Sequence, residues 1–137
     1  MTWEHFHHQA DIGIRGIGDT VEQAFEEGAV ALMAVICSPE KVEAKECIEI
    51  ECEADEKDLL FADWINALIY EMDIRKMLFS RFEVHIEKHK LTAKAWGEKT
   101  DPDKHELAVE VKAATFMELK AYKDNDNQWI VQCVVDV

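Results

Sequence analysis

Two stretches of the chain carry apolar residues at the spacing of an amphipathic helix. The first follows Asp19, which is predicted to cap the helix, with Glu22 reaching back to it as in a capping box. Pro39 is predicted to end this helix, because proline disfavours helical geometry in the residue before it. The second helix is predicted to begin within residues 55–58. Its broad apolar stripe consists of Leu60, Phe61, Trp64, Ile65, Leu68, Ile69 and Met72.

Elsewhere, apolar and polar residues alternate with the period of half-buried antiparallel strands. Tight turns are predicted at His89-Lys90 and at residues 124–127. Two helices and a sheet to pack on predict a two-layer α+β domain with a mostly antiparallel sheet. The inward positions of the predicted strands are Ile48, Ile50 and Cys52; Phe82, Val84 and Ile86; Leu91, Ala93 and Ala95; Leu107, Val109, Val111 and Ala113, running on as far as Leu119; and Trp129, Val131, Cys133, Val135 and Val137.

Length and composition favour one globular domain over residues 1–137, since 48% of the chain is hydrophobic and 32% is charged. The N-terminus lacks the basic and apolar regions of a signal peptide, and no apolar run is long enough to cross a bilayer. A cytoplasmic location is therefore expected. The cysteines lie in apolar patterns without a C-x-x-C pair, so burial as free thiols is predicted: Cys37, Cys47, Cys52 and Cys133.

The formal net charge of −14 restricts the partners of the chain. Phosphate backbones require a cationic surface, and no run of Lys and Arg is present, so direct tight nucleic-acid binding is not expected. An acidic surface instead suits a basic protein partner, a metal ion or solubility alone.

The N-terminal segment combines histidines, an aspartate and glycines. His5 and His7 would share one face of a strand, where they could ligate a transition metal or simply face solvent. No third ligand is spaced to join them. Asp11 alone is typical of a turn residue. The glycines that follow it, Gly13, Gly16 and Gly18, would let the backbone turn tightly and approach a ligand, although their spacing is not a dinucleotide fingerprint.

The C-terminal segment offers two more candidates. Asp136 lies next to the α-carboxylate of Val137, and two such groups could begin a site for a hard cation or be a solvated terminus. Lys112 follows Glu110 on a predicted strand, where it could bind phosphate or pair with a carboxylate.

Five blocks in the same order resemble the archease family: HQADIG at residues 8–13, LFADWINALIY at 60–70, GEKTDPDKH at 97–105, VKAAT at 111–115, and the ending from Trp129 through VVDV. The resemblance spans nearly the whole chain and rests on the ordered set rather than on any single block. It implies a strand–helix–strand–strand core with a helix-containing insertion. It also implies an accessory protein of tRNA splicing that assists an RtcB-type RNA ligase, promoting its guanylylation and multiple turnover and broadening its nucleotide use. Such a protein is not itself a catalyst.

The resemblance also implies a set of site residues. The metal site of the family maps onto Asp11, Asp136 and the carboxylate of Val137, whose oxygen ligands would suit calcium or magnesium. Lys112 matches the strand lysine of the family, as a counter-charge or as a contact to the ligase or its phosphate. His8 and Asp63 also match family positions. His8 would support the metal site, and Asp63 would be a partner contact or a solvated position.

One departure from the family pattern is Met117, which stands where the family often has histidine. Two alternatives to the accessory role stay open from the sequence. One is a free-standing metal-dependent phosphoester hydrolase, in which the same carboxylates activate water through a divalent ion. The other is a chaperone-like interaction module with a structural cation.

Overall fold

The computed structural model describes all residues 1–137, which form two antiparallel sheets and two long helices. The strands are β1 (Thr2–His8), β2 (Asp11–Gly18), β3 (Glu46–Glu53), β4 (Met77–Glu87), β5 (Lys90–Lys99), β6 (Ala113–Ala114), β7 (Lys120–Lys123) and β8 (Trp129–Asp136). The helices are α1 (Val21–Ile36), α2 (Lys57–Arg75) and the short α3 (Pro102–His105), with a 3₁₀ turn at Pro39–Lys41. The predicted α+β class is therefore confirmed.

The five-stranded sheet has the order β1-β2-β8-β6, and β7 pairs with β8 along the same edge as β6. The three-stranded sheet has the order β3-β5-β4. Each long helix contacts strands of both sheets, so a single apolar core joins them. No helix combines the length and the apolar character needed to cross a membrane.

The capping box of α1 lies one residue later than the sequence pattern predicted. Thr20 is the N-cap: its hydroxyl accepts a hydrogen bond from the Gln23 amide at 3.1 Å, and the Gln23 side chain accepts one from the Thr20 amide at 3.3 Å. The prediction of Asp19 and Glu22 was wrong because both sequence pairs satisfy the same spacing rule. Helix α1 does end before Pro39, as predicted.

Gly16 and Gly18 of β2 serve helix packing instead of a turn. A Cβ atom on Gly16 would lie 2.1 Å from the Ala24 carbonyl oxygen and 2.3 Å from the Gly28 nitrogen, so the backbone of α1 rests directly on this strand. No glycine has a positive φ, and the turn before β2 is made at Gln9, with φ 54. The expectation of tight turning at these glycines was therefore wrong.

The predicted strand from Leu107 to Ala113 and on to Leu119 is the main error of the sequence pattern. Only Ala113–Ala114 pairs with β8, and β7 follows separately after residues 115–119. Residues 107–111 have no regular structure, because no neighbouring strand lies beside them to complete a ladder. Their apolar and polar side chains alternate as in a strand, but no other strand pairs with them.

The central strand and the cysteines also differ from the expectation of simple burial. Strand β8 is not half-buried, since Gln132 and Val134 on its second face are as inaccessible as the core residues between them.

The cysteines are all free thiols, but they differ in burial. Cys47 is exposed, whereas Cys37 and Cys133 are buried as predicted. Burial raises the pKa of the Cys133 thiol to about 12.

Candidate functional site

One end of the five-stranded sheet brings together three of the side chains that were predicted to form a site. In the register of the sheet, His8 pairs with Asp11 across β1 and β2, and Asp136 pairs with Ala113 across β8 and β6. Because Ile12 pairs with Val135, the next positions outward on β2 and β8 are Asp11 and Asp136. His8, Asp11 and Asp136 therefore form one row across three adjacent strands.

The row lies on the face of the sheet that points away from the helices. Ile12 and Ile14 of β2 belong to the core side, so the alternating position Asp11 points to the opposite, outer face. Phe6 lies on this outer face, since a Cβ atom on Gly13 would meet its ring at 2.3 Å. The Arg15 guanidinium lies 4.7 Å from the centre of the same ring.

The carboxylates of Asp11 and Asp136 have no partner within the chain. Neither side chain makes a hydrogen bond or an ion pair, whereas Glu4, Glu43 and Glu98 each pair with a basic side chain. Directly opposed residues on neighbouring strands have Cβ atoms about 4.5–5.5 Å apart, and like charges at that separation destabilise the sheet. The row therefore places two negative charges on neighbouring strands without a neutralising partner from the chain.

His8 contributes the one buried polar side-chain atom of the molecule that has no hydrogen-bond partner, its Nδ1. Buried polar atoms are normally hydrogen-bonded, and an exception calls for a physical explanation. This atom belongs to the residue paired with Asp11, at the margin of the row. A ring nitrogen in this position can support or join a cation site.

Lys112 and Val137 lie at the same end of the sheet. The Lys112 amide donates a hydrogen bond to the Asp136 carbonyl at 2.8 Å, which ties this residue to β8. Its side chain is exposed, and its ammonium group is not within ion-pairing distance of any carboxylate. Val137 packs partly on the core, one residue beyond Asp136. No group of three or more His, Cys, Asp and Glu side chains is arranged to hold a metal.

Other predicted residues lie elsewhere. His5 pairs with Ile14, so it faces α1, and its Nε2 donates a hydrogen bond to the Ala31 carbonyl at 2.8 Å. His7 is exposed. Asp63 is exposed on α2, where its charge adds to the burial that raises the pKa of the Cys52 thiol to about 11. Asp63 is thus separate from the row, and its role as a partner contact stays a prediction.

The outer face also carries an apolar bulge that the sequence did not indicate. Residues 115–119 connect β6 to β7 and stay tied to β8. The Thr115 amide donates to the Val134 carbonyl at 2.9 Å, and the Val134 amide donates to the Met117 carbonyl at 3.1 Å. The Gln132 side chain donates to the Glu118 carbonyl at 3.0 Å. Phe116 at the tip is 73% exposed, the largest exposure of any bulky apolar residue in the chain. Met117 is exposed beside it.

A second histidine–carboxylate cluster lies at Glu98 and His105, where β5 leads to α3. His105 is fully buried; its Nδ1 accepts a hydrogen bond from the Asp101 amide at 2.9 Å, so its Nε2 carries the proton and donates to Glu98 Oε2 at 2.9 Å. Glu98 also accepts from the Glu43 amide at 2.9 Å and pairs with Lys104 at 2.9 Å. These contacts, led by the Glu43 amide, lower the pKa of Glu98 to about 2.

A groove of about 780 Å³ lies between the C-terminal half of α2 and residues 107–112. Most of its lining is apolar, from residues such as Ile69, Tyr70 and Met72 of α2. Lys112 lies at its margin, so the groove and the acidic row meet at one segment of chain. The sequence pattern missed the groove because it assigned this segment to a strand.

Comparison with known proteins gives consistent results. Residues 3–137 match the Archease protein family. The protein named archease of Pyrococcus abyssi is 48% identical over 139 residues, covering 98% of both chains, and that of Pyrococcus furiosus is 45% identical over 98% of both. The solution structure of a Methanobacterium thermoautotrophicum protein is similar with a TM-score of 0.87 and 32% identity, covering 98% of both chains. A Thermotoga maritima crystal structure, described as an archease and possible chaperone, has a TM-score of 0.61 at 21% identity, covering 98% of this chain and 96% of that one, and it supports the fold alone.

Proposed function

The chain belongs to the archease family, and from that premise we propose that it is an accessory factor of tRNA splicing that activates an RtcB-type RNA ligase. The ligase would join 3′-phosphate or 2′,3′-cyclic-phosphate RNA ends to 5′-hydroxyl ends. This protein would promote its guanylylation and its multiple turnover and broaden its nucleotide use, without catalysing the joining itself. The observation that carries the proposal is the row of His8, Asp11 and Asp136, whose polar groups lack partners within the chain.

The proposal includes a divalent cation, calcium or magnesium, at this row. The residues fit such an ion in their chemistry, since carboxylate oxygens are the ligands that hard cations prefer. Asp11 and Asp136 would hold it together with the main-chain carboxylate of Val137. The unpartnered Nδ1 of His8 would complete or support the site. The ion would supply positive charge that offsets the opposed carboxylates and could attract a phosphate group.

The charge of the protein supports a basic partner. A ligase that holds RNA must present a cationic surface, and a chain with a formal net charge of −14 is complementary to it. Lys112 is exposed beside the row and makes no ion pair, so its ammonium group is available to the ligase or to a phosphate. Its contribution would be to position the partner in the state that accepts the nucleotide.

A multiple-turnover ligation assay tests the proposal. A matching RtcB-type ligase is supplied with GTP, a divalent cation and RNA in excess over enzyme, alone or with the wild-type protein, Asp136→Asn or Asp126→Asn. Asp126 is a charge-matched control in the turn at the far end of β8. We expect wild type and Asp126→Asn to raise turnover and Asp136→Asn to fail.

Three other outcomes would contradict the proposal in whole or in part. No change in turnover with a matching ligase would rule out the accessory role. Hydrolysis of nucleotide or phosphoester by this protein without ligase, lost in Asp136→Asn, would instead support a free-standing metal-dependent hydrolase. If removal of the cation lowers thermal stability but leaves ligation unchanged, the cation is structural.

A further inference from the structure

The sheet edges of the molecule differ in how their backbone groups are satisfied. On β4, the Val84 amide donates to the Glu26 carboxylate at 2.8 Å and the Ile86 amide to that of Glu22 at 3.5 Å. Carboxylates from α1 thus occupy donors that would otherwise be free to pair with another chain. Blocking an exposed edge in this way is a common protection against unwanted strand addition.

Residues 107–111, the open segment, carry no such protection. Among their backbone groups, only the Ala108 amide is hydrogen-bonded, to the Ile36 carbonyl at 2.8 Å. No side chain donates to or accepts from the others. The alternating side chains Leu107 and Val109 are 44% and 41% exposed, whereas Val111 is buried. The open segment therefore presents both free ladder positions and free apolar side chains.

The open segment also forms one wall of the groove beside α2. Tyr70, which is 61% exposed, lies on the opposite wall. The volume of about 780 Å³ is enough for several side chains of a bound segment. An extended peptide that pairs with the open segment would direct alternate side chains into the groove, which is how strand addition combines affinity with specificity.

The charges of the residues that line the groove favour a basic occupant. Two of the three charged lining residues, Asp73 and Glu110, are acidic, and the third is Lys112. Glu110 is exposed without an ion pair, and Asp73 pairs with the exposed Lys76 at 3.7 Å. A second copy of this chain would bring another −14 of net charge to the contact. A segment with basic residues between its apolar ones is complementary instead.

We propose that the open segment and the groove bind an extended segment of a protein partner, apolar at alternate positions and basic between them, by strand addition. The proposal deepens the proposed function and rests on it for the identity of the partner, the ligase. The docking chemistry itself is tested without the ligase, so failure of one is distinguishable from failure of the other.

The first experiment is an NMR titration of the ¹⁵N-labelled protein with the capped peptide Lys-Val-Lys-Val-Lys-Val-Lys. The matched control peptide has proline in place of the central valine, which leaves the charge unchanged and removes the ability to form a continuous ladder. We expect saturable shifts of the amides of residues 107–111 with the first peptide and an affinity at least about tenfold weaker with the control. Equal affinities, or shifts confined to other surfaces, would overturn the proposal.

Variants of the protein separate backbone pairing from apolar contact. Val109→Pro removes an amide that has no partner within the chain, and Tyr70→Ala removes part of the groove wall. Tyr122→Ala on β7 is the control, since Tyr122 is exposed but distant from the groove lining. Both groove variants should lose about tenfold in peptide affinity while Tyr122→Ala retains it, with unfolding temperatures measured for all three.

The same variants then enter the ligation assay. If wild type activates the ligase and the groove variants require about tenfold more protein to do so, the groove is the docking surface. If they match Tyr122→Ala, the groove does not dock the ligase, while the accessory role stands. If wild type does not activate the ligase but binds the peptide at residues 107–111, the docking chemistry stands and the accessory role fails. Self-association through the open segment, seen as a dimer by light scattering, would overturn the choice of occupant.

Discussion

The molecule contains two sites where a histidine meets carboxylates, and they differ in how far the chain satisfies them. At Glu98 and His105, every nitrogen and oxygen has a partner, and the histidine is fully buried. At Asp11 and Asp136, neither carboxylate has one, and the Nδ1 of His8 is buried and unpartnered. The same residue types therefore form a fully hydrogen-bonded cluster at one place and an unpartnered group at the other.

The difference separates a structural cluster from a candidate binding site. A carboxylate whose partners are supplied by the fold stabilises the folded state and has little capacity left for a ligand. Opposed carboxylates without partners cost stability in isolation and gain it from an external cation. The predictions below test this difference, from the largest expected effect to the smallest.

Removing the buried histidine should have the largest effect. His105→Ala leaves a cavity and unpairs both Glu98 and the Asp101 amide, so we expect a loss of about 3 kcal/mol in the free energy of unfolding. Urea denaturation measures it. His7→Ala, at an exposed histidine, is the control and should change stability by less than about 0.5 kcal/mol. A similarly small change in His105→Ala would show that the cluster is not structural.

Acid should weaken the same cluster. The pKa of Glu98 falls from 4.5 in the unfolded chain to about 2 in the fold, so its stabilisation is complete above pH 4.5 and is lost as the pH falls toward 2. The charged groups around it are Lys104, Lys45 and Glu43, with His105 behind them.

The pKa of Glu26 shifts in the opposite direction. Burial against β4 raises its pKa, so it favours the fold below its unfolded value of 4.5 and loses that contribution as the pH rises.

Thermal unfolding from pH 7 to pH 3 tests the contribution of Glu98. Stability should decline more steeply with acid in wild type than in Glu98→Gln. Parallel curves for the two proteins would refute the assignment to Glu98.

Replacing one carboxylate of the row should weaken cation binding more than it changes the fold. Asp136→Asn is expected to lower affinity for calcium or magnesium by about 100-fold, equivalent to about 2.7 kcal/mol, because a charged ligand is lost. Isothermal titration calorimetry measures it, with Asp126→Asn as control. Added cation should raise the unfolding temperature of wild type and of Asp126→Asn, but not that of Asp136→Asn.

The carboxylate of Val137 can be tested at the same row without removing a side chain. Extending the chain by Gly-Ser moves the main-chain carboxylate away, and we expect a loss of affinity of about tenfold or more. Unchanged affinity in the extended protein would leave only the side chains as ligands.

The smallest effect is expected at His8. His8→Gln keeps a polar side chain on the row but removes the ring nitrogen, and an outer partner of a metal site typically contributes about tenfold in affinity. Calorimetric titration of the variant beside His7→Gln gives the comparison, since His7 faces the other side of β1. Equal affinities in both variants would exclude His8 from the site.

The sequence alone determined the elements whose pattern is local. The stripe on α2 is buried as predicted, from Leu60 through Leu68, because a helix of this length needs only its own periodicity to present one apolar face. The strand at Ile48 and Ile50 and the hairpin that joins β4 to β5 also follow from their alternation, although the turn lies at Lys88-His89, one residue earlier than predicted. The family resemblance was also visible in the sequence, because each of its ordered blocks is a short local stretch.

Only the tertiary structure decided which distant residues meet. The period-two pattern at Leu107 and Val109 predicted a strand, but a strand needs a neighbour, and the chain supplies none there. The register of β2 on β8 is what places Asp11 opposite Asp136, and the packing of α1 on Gly16 is what turns both toward the outer face. Charge and spacing along the sequence named the candidates, whereas long-range pairing determined which of them the fold leaves without partners.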